Sequence, residues 1–476
     1  MSIKRFIGSK AFYKTLLGVM VPILIQNAIT NFVSLLDNVM VGRVGTEQMS
    51  GVSIVNQLLF VFYLCIFGAI SGAGLFSAQF FGKGDHEGVR QTFRFKWYTT
   101  LILLGGAMAL LITAGEPLIG LYLHEGGETG DLALTLHYAK QYLAISLIGL
   151  LPYTVTQVYA GTLREIGHTV PPMTAGIVGV LTNLVFNTIL IFGLCGFPAL
   201  GVKGAAIATV IARFTECAIV VIWTHTHREK CEFVRGVYRS GYVPLALVKK
   251  ITVTGSPLMV NETLWAAGQA MLLQCYSVRG IAVVSAMNIS NTVTNTFSVL
   301  FLSVGSTIAI LLGHELGAGQ VREARDSARK MIAFSLFMGL LGAALIAAAA
   351  PIFPMIYNTT DEVRSLAVQM SLISAAAAPV HAYLNASYFT LRSGGKTLIT
   401  FLFDAGFVWC VNVPLAFLLS RFTSAPATVI LLAAQAAELL KVALGTLLVA
   451  RGTWAVDLTQ VGDETEAAEQ STATSV

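Results

Sequence analysis

Six stretches of this 476-residue chain, 15–36, 48–82, 141–163, 280–314, 331–360 and 365–391, contain no Asp, Glu, Lys or Arg. Each is longer than the ~18 apolar residues that make a membrane-span candidate. Composition agrees: 55% of residues are hydrophobic and 12% charged, whereas a soluble globular chain carries about 25% charged residues. The fold class that follows is an all-α, multi-pass integral membrane protein.

Shorter apolar runs, broken by one or two charges, fill the gaps and predict twelve spans. They lie near 14–42, 50–80, 97–116, 137–160, 170–193, 202–224, 246–274, 280–312, 331–352, 365–390, 397–420 and 427–450. The N-terminal MSIKRFIGSKAFYKTLLGVM reads as the start of the first span; its apolar stretch is too long for a signal peptide and no small-residue cleavage site follows. Lys and Arg are concentrated in the N-terminal segment and in alternate connectors, with Lys83, Arg90, Arg94 and Lys96 in one and Arg228, Lys230, Arg235, Arg239, Lys249 and Lys250 in another. Positive charge is retained on the cytoplasmic side, so both termini are expected inside the cell (inner) membrane.

The expected organisation is an N-terminal six-helix lobe (1–224), a cytoplasmic linker (225–245), a C-terminal six-helix lobe (246–452) and a disordered acidic tail (453–476). The net charge of +5 then reports membrane orientation, and no basic patch supports nucleic-acid binding. The six cysteines, Cys65, Cys195, Cys217, Cys231, Cys275 and Cys410, show no paired metal spacing, so neither a metal site nor a disulfide framework is expected.

Sliding the chain on itself by 235 residues aligns Pro22 with Pro257, Gly45 with Gly280, Asn56 with Asn291, Ser71 with Ser306, Gly82 with Gly317, Gly84 with Gly319 and Arg90 with Arg325, without a gap. At an offset of 228, TLREIGHT at 162–169 matches TLRSGGKT at 390–397. These are the marks of an internal repeat. Six spans separate equivalent positions, so the halves run parallel, related by a pseudo-two-fold axis along the membrane normal, which is a transporter architecture.

No GxxxxGK[ST] loop occurs, so nucleotide hydrolysis has no home and an ion gradient is the expected source of work, with no cofactor. GAG at 72–74 lies inside a span and reads as close helix packing. Attention falls on the carboxylates inside spans, because an ionisable group at membrane depth marks an ion or substrate path. Asp37 comes late in the first span, preceded by the polar run Asn27, Asn31 and Ser34. Glu262 lies twelve residues beyond Lys250, about 18 Å along a helix and near mid-bilayer. Asp404 is eight residues past Lys396, about 12 Å deep, with no basic residue in its own span before Arg421.

Arg213 with Glu216, and Glu438 with Lys441, are spaced to pair on one helix face. Asn288, Asn291 and Asn295 form one stripe on span 8, which either glues helices together or lines a cavity. His381 and Asn385, four apart on span 10, make a similar polar pair, His381 reading as an interior hydrogen-bonded histidine. With Asn27, Gln57 and Gln269 these form the expected substrate cavity.

LLDNVMVGRVG at 35–45, the span ending in SAQFFGKGDHEGVR at 77–90, TLREIGHT, GSPLMVNE at 255–262 and TLRSGGKT together resemble bacterial MATE (multidrug and toxic compound extrusion) transporters over residues 12–452. The resemblance implies two six-helix lobes and drug antiport against Na+ or H+. In the DinF-type branch a first-span aspartate works with a fifth-span Asn and Asp and a sixth-span Thr; Asp37, Asn183 and Thr209 match, but the second acid is Asn187 here. In the NorM-type branch a seventh-span glutamate and a tenth-span aspartate hold the C-lobe cation; Glu262 is close to the first. Span 10 offers only His381 and Asn385, so Asp404 is the expected substitute.

The expected function is secondary active export of amphipathic, cationic organic compounds in exchange for H+ or Na+ by alternating access, by a monomer in the lipid bilayer. Acids without unpaired buried Lys or Arg favour cationic cargo. A flippase for lipid-linked saccharides is the alternative; its pyrophosphate cargo calls for several central basic residues. A channel fits poorly with unequal acids in the two halves, and an enzyme has no nucleophile, base and orienting group to assemble.

Overall fold

The structure is a computed structural model that describes residues 6–42, 45–122, 131–194, 196–357 and 359–459; the side chains of 33–39, 41, 42, 46 and 281 lie outside that description. Twelve helices follow in order: α1 Lys10–Gly42, α2 Thr46–Lys83, α3 His86–Gly120, α4 Leu132–Glu165, α5 Val170–Phe192, α6 Val202–Thr226, α7 Leu245–Ser277, α8 Ile281–Gly317, α9 Val321–Ala349, α10 Asp361–Ser393, α11 Thr397–Phe422 and α12 Ala427–Arg451. No strand occurs among the described residues. Eleven of the twelve are long and apolar enough to cross a membrane. The other is α7, whose apolar run is interrupted by Asn261, Glu262 and Gln269.

Local chemistry sets the helix ends. Asp131 caps α4, its carboxylate accepting the backbone N–H of Ala133 and Leu134 at 2.9 and 3.1 Å. Pro171 and Pro172 occupy the first turn of α5, where a missing N–H costs nothing. Gly193 then ends that helix at φ 72°, a left-handed conformation a side chain would resist.

The chain divides into two compact units. The N-terminal unit comprises 25–77 and 86–244; the C-terminal unit comprises 1–24, 78–85 and 245 onward. In the N-terminal unit α6 packs on α4 and α5, and α3 packs on α4. The segment after α6 is tied to the start of α3: Arg94 donates to the carbonyls of Val237 (3.0 Å), Tyr242 (3.2 Å) and Gly236 (3.3 Å), and Arg90 to that of Phe233 (3.2 Å). Lys96, which sequence places among the connector charges, is instead fully buried in α3, bonded to Thr162 Oγ1 at 3.0 Å and paired with Glu165.

In the C-terminal unit α8, α9 and α10 pack together, with α12 against α10 and α7 against α11. Arg392, also expected in a connector, is buried at the end of α10, its guanidinium over the rings of Phe389 (5.4 Å) and Tyr388 (5.9 Å). Beyond α12, Trp454 and Leu458 are buried. Gln79 holds this strap: its Nε2 donates to the carbonyls of Ser393 and Val456, and its Oε1 accepts the N–H of Leu458 at 2.6 Å. The tail expected from 453 therefore begins as part of the packed unit.

Helix α11 is not regular. Two π-helical turns, Leu402–Gly406 and Val408–Asn412, interrupt it. Wide turns of this kind misalign backbone groups and are frequent at functional sites; here the first contains Asp404 and the second ends at Asn412.

Candidate functional site

Asp404 is the hub of a polar network in the C-terminal unit. Lys441, from α12, donates to its Oδ1 at 2.9 Å, and Asn261, from α7, donates to its Oδ2 at 3.2 Å. The Asn261 carbonyl in turn accepts the backbone N–H of Ala405 at 3.2 Å, inside the first π turn. Its amide also reaches the Tyr388 hydroxyl at 3.4 Å. One asparagine thus satisfies both the acid and a backbone donor beside it, the accounting a buried site demands.

Sequence spacing pairs Lys441 with Glu438, and they do face each other, but at 3.8 Å. The shorter contact is to Asp404. Glu438 is held elsewhere, accepting from Asn412 Nδ2 at 2.6 Å. Lys441 is therefore a cation between two carboxylates, with 7% of its side chain exposed, its Nζ lying 5.2 Å from the centre of the Phe403 ring. On spacing alone Glu438 and Lys441 read as a bland pair; nothing local in the sequence shows that Asp404 reaches them.

Glu262 sits next to Asn261 on α7, half-buried, within electrostatic reach of Arg392 and Asp404. No hydrogen bond or ion pair engages it among the described residues. His381 bonds to Gln435 Oε1 at 2.7 Å, as an interior histidine does, and feels the charges of Glu438 and Lys441. Asn385 packs where a Cβ on Gly305 of α8 would stand. Asn288, Asn291 and Asn295 are all exposed along one face of α8, so they do not fasten helices together. Gln269 is exposed on α7.

In the N-terminal unit, Asn183 donates to Thr209 Oγ1 at 3.2 Å, and Asn187 donates to Asn183 Oδ1 at 3.0 Å. The three residues read from sequence as one group do meet, as a chain of neutral groups. Asp37, the fourth, lies outside the described side chains. Arg213 and Glu216 pair at 3.3 Å, Arg213 lying over the Tyr153 ring at 4.9 Å. Asn27 is half-buried and Gln57 exposed. They belong to the N-terminal unit, and Gln269, the α8 stripe, His381 and Asn385 to the other.

Buried cations occur in the helices as well as acids, Lys96, Arg392 and Lys441 among them. Lys96 and Lys441 are each ion-paired.

Among the described residues, eleven helices long and apolar enough to cross a membrane, with charged side chains buried in several of the helices, define a polytopic membrane protein. The sequence profile of the MatE family matches residues 22–189 and again 257–418, and the chain belongs to that family of transporters, which are not enzymes. The two matches begin at Pro22 and Pro257, the pair aligned by the 235-residue repeat.

Among relatives, the chain is 24% identical over 416 residues to a probable multidrug resistance protein NorM of Thermotoga maritima, covering 86% of each. It is 26% identical over 428 residues to one of Bacillus subtilis, covering 86% of this chain and 89% of that protein. A crystal structure of a MATE protein in a straight conformation superposes with a TM-score of 0.83 at 17% identity, covering 95% of this chain and 98% of that one. A mutant of the Vibrio cholerae MATE transporter VcmN gives 0.81 at 19% identity, covering 93% and 97%. At these identities the structures establish the shared fold.

Proposed function

We propose that this protein is a secondary active antiporter that exports amphipathic, mainly cationic organic compounds across the cell membrane in exchange for H+ or Na+, by alternating access. Its relatives named as multidrug resistance proteins support the cargo class. The observation that carries the coupling role is Glu262: a half-buried carboxylate inside a membrane-length helix, with no hydrogen bond or close ion pair among the described residues. Such a group must exchange a cation or a proton to be tolerated. Asp404 serves the same C-terminal site. Asp37, Asn183, Asn187 and Thr209 make a weaker N-terminal one, because Asn187 supplies no charge. The exposed amides Gln57, Gln269, Asn288, Asn291 and Asn295, with Asn27, His381 and Asn385, contribute to the cargo path. Both termini face the cytoplasm, and the protein acts as a monomer.

The energetic requirement is that ion and cargo bias the inward-open and outward-open states oppositely. Glu262→Gln in everted vesicles tests it: drug-linked ion movement and dye export are expected to fall to background, and export that survives at the unsubstituted rate would remove Glu262 from the mechanism. The flippase alternative needs free basic side chains for a pyrophosphate; the pairing of Lys441, Lys96 and Arg213 with acids leaves fewer of them.

A further inference from the structure

We infer that Lys441 is a tethered counter-cation that moves between Asp404 and Glu438, and that this triad couples the C-terminal site to protons and excludes Na+. The inference rests on the antiport reading and specifies its ion.

The geometry argues first against sodium. A bound metal cation needs several oxygens turned toward it at once. Here Asp404 Oδ1 accepts from Lys441 and Oδ2 from Asn261, Glu438 Oε1 accepts from Asn412, and Glu438 Oε2 faces Lys441. Three of these four oxygens already have a hydrogen-bond donor, the fourth faces the ammonium at 3.8 Å, and that ammonium takes the place between the two acids that a small cation would occupy. A proton needs no cage.

Charge counting gives the stoichiometry. Glu262 on α7 and the titratable Tyr388 on α10 are within electrostatic reach of Asp404, His381 on α10 is within reach of Glu438 and Lys441, and Arg392 on α10 acts on Glu262 and Tyr388. Three carboxylates stand against two fixed cations, an excess of one negative charge with His381 and Tyr388 neutral. Buried charge is costly unless compensated, so the cluster accepts one monovalent positive charge. When Asp404 takes a proton it becomes a neutral acid and no longer holds the ammonium. Lys441 keeps its own protons and turns to Glu438, already 3.8 Å away.

The move has a mechanical consequence. Lys441–Asp404 and Asn412–Glu438 are polar ties between α11 and α12, one at each π turn. Proton uptake releases the first while strengthening the charge around the second. Helix α11 then hinges at its widest turn, with Asn261 still holding the Ala405 N–H. Glu262, open and adjacent, is the entry carboxylate.

The test uses the full chain with two readouts. In proteoliposomes loaded with a cationic dye, an imposed pH gradient is expected to drive exchange, and a Na+ gradient at equal pH to drive none. Lys441→Gln is expected to move the pH of half-maximal exchange upward, because an adjacent positive charge favours an ionised carboxyl and the variant removes it. Asp404→Asn with Lys441→Gln is a neutral pair; if the single variant does not fold, the double variant decides, and its pH profile is expected to be flat.

The second readout, melting of the purified protein in Na+ against choline, needs no cargo. No Na+ effect is expected in the natural protein, and a Na+-dependent rise is expected in Lys441→Gln, where open carboxylates gain a cation. Sodium-driven exchange, Na+-stabilised natural protein, or an unshifted pH profile in a folded variant would each overturn the triad. Failure of the antiport reading is distinct: dye would then move under neither gradient, while melting still decides the triad.

Discussion

Gly82 of α2 and Gly317 of α8 are equivalent by the 235-residue repeat, and each is packed against the other's helix. A Cβ on Gly82 would overlap the backbone of His314, and a Cβ on Gly317 would overlap that of Gln79. Gln79 and His314 are themselves related by the same 235-residue offset, so equivalent positions meet in this contact. Small residues let helix backbones meet this closely in membranes, where dispersion and geometry drive association.

Replacing either glycine with leucine must therefore separate the two helices. Overpacking costs about 1–3 kcal/mol, and each variant is expected to lower the melting temperature in detergent. Gly105→Ala and Gly106→Ala, at positions on α3 where a Cβ meets nothing within 4 Å, are the controls. Equal melting of Gly82→Leu and the controls would show that the crossing does not form.

Asn261→Ala removes the partner of the Ala405 N–H and one of the donors to Asp404. Leaving such buried groups unsatisfied costs about 1–3 kcal/mol each. Thermal melting should register that loss, whereas Gln269→Ala on the exposed side of the same helix should change it by less than about 0.5 kcal/mol. A stable Asn261→Ala protein would mean that the network is not the support of α11.

The α8 amides predict a change in selectivity without a change in stability. Asn288→Ala, Asn291→Ala and Asn295→Ala each remove an exposed polar group, so melting should stay within about 0.5 kcal/mol of the natural protein. Export rates across a panel of cationic dyes should nonetheless reorder, because these amides meet whatever occupies that face. An unchanged ranking in all three variants would assign the stripe to no cargo path.

His168 predicts a pH effect outside the membrane spans. It lies between α4 and α5, bonded to the Lys230 carbonyl at 3.3 Å and edge-on to Trp223. Partial burial holds its imidazole below the ordinary value. The folded state thus favours the neutral ring. That contribution is present above the unfolded value of about 6.5 and lost as pH falls through it. Amide protection in 228–239, taken relative to the intrinsic exchange rate at each pH, should be lower at about pH 5.5 than at about pH 7.5, and His168→Gln should reduce that difference; an equal pH response in the variant would assign it to another group.

Several features of the site are legible in the sequence because they are local. Charge-free runs mark the spans, and an acid such as Glu262 inside one is conspicuous whatever surrounds it. Asn183, Asn187 and Thr209 group through a family pattern, and the side chains do bond in series. The partner of Asp404 is not legible. Lys441 is 37 residues away on another helix, while Glu438 at a spacing of three looks like its natural mate.

By itself, then, the sequence determined twelve helices, their repeat and the presence of charge at membrane depth, because hydropathy and helical spacing act over tens of residues along one chain. Only the tertiary structure decided which charges meet. The π turns of α11 and its packing against α7 bring Asp404 to Asn261, and the α12 side chain of Lys441 closes the network. The physical reason is that an ion pair depends on a few ångströms of separation, a distance set by helix rotation and crossing that no one-dimensional pattern contains.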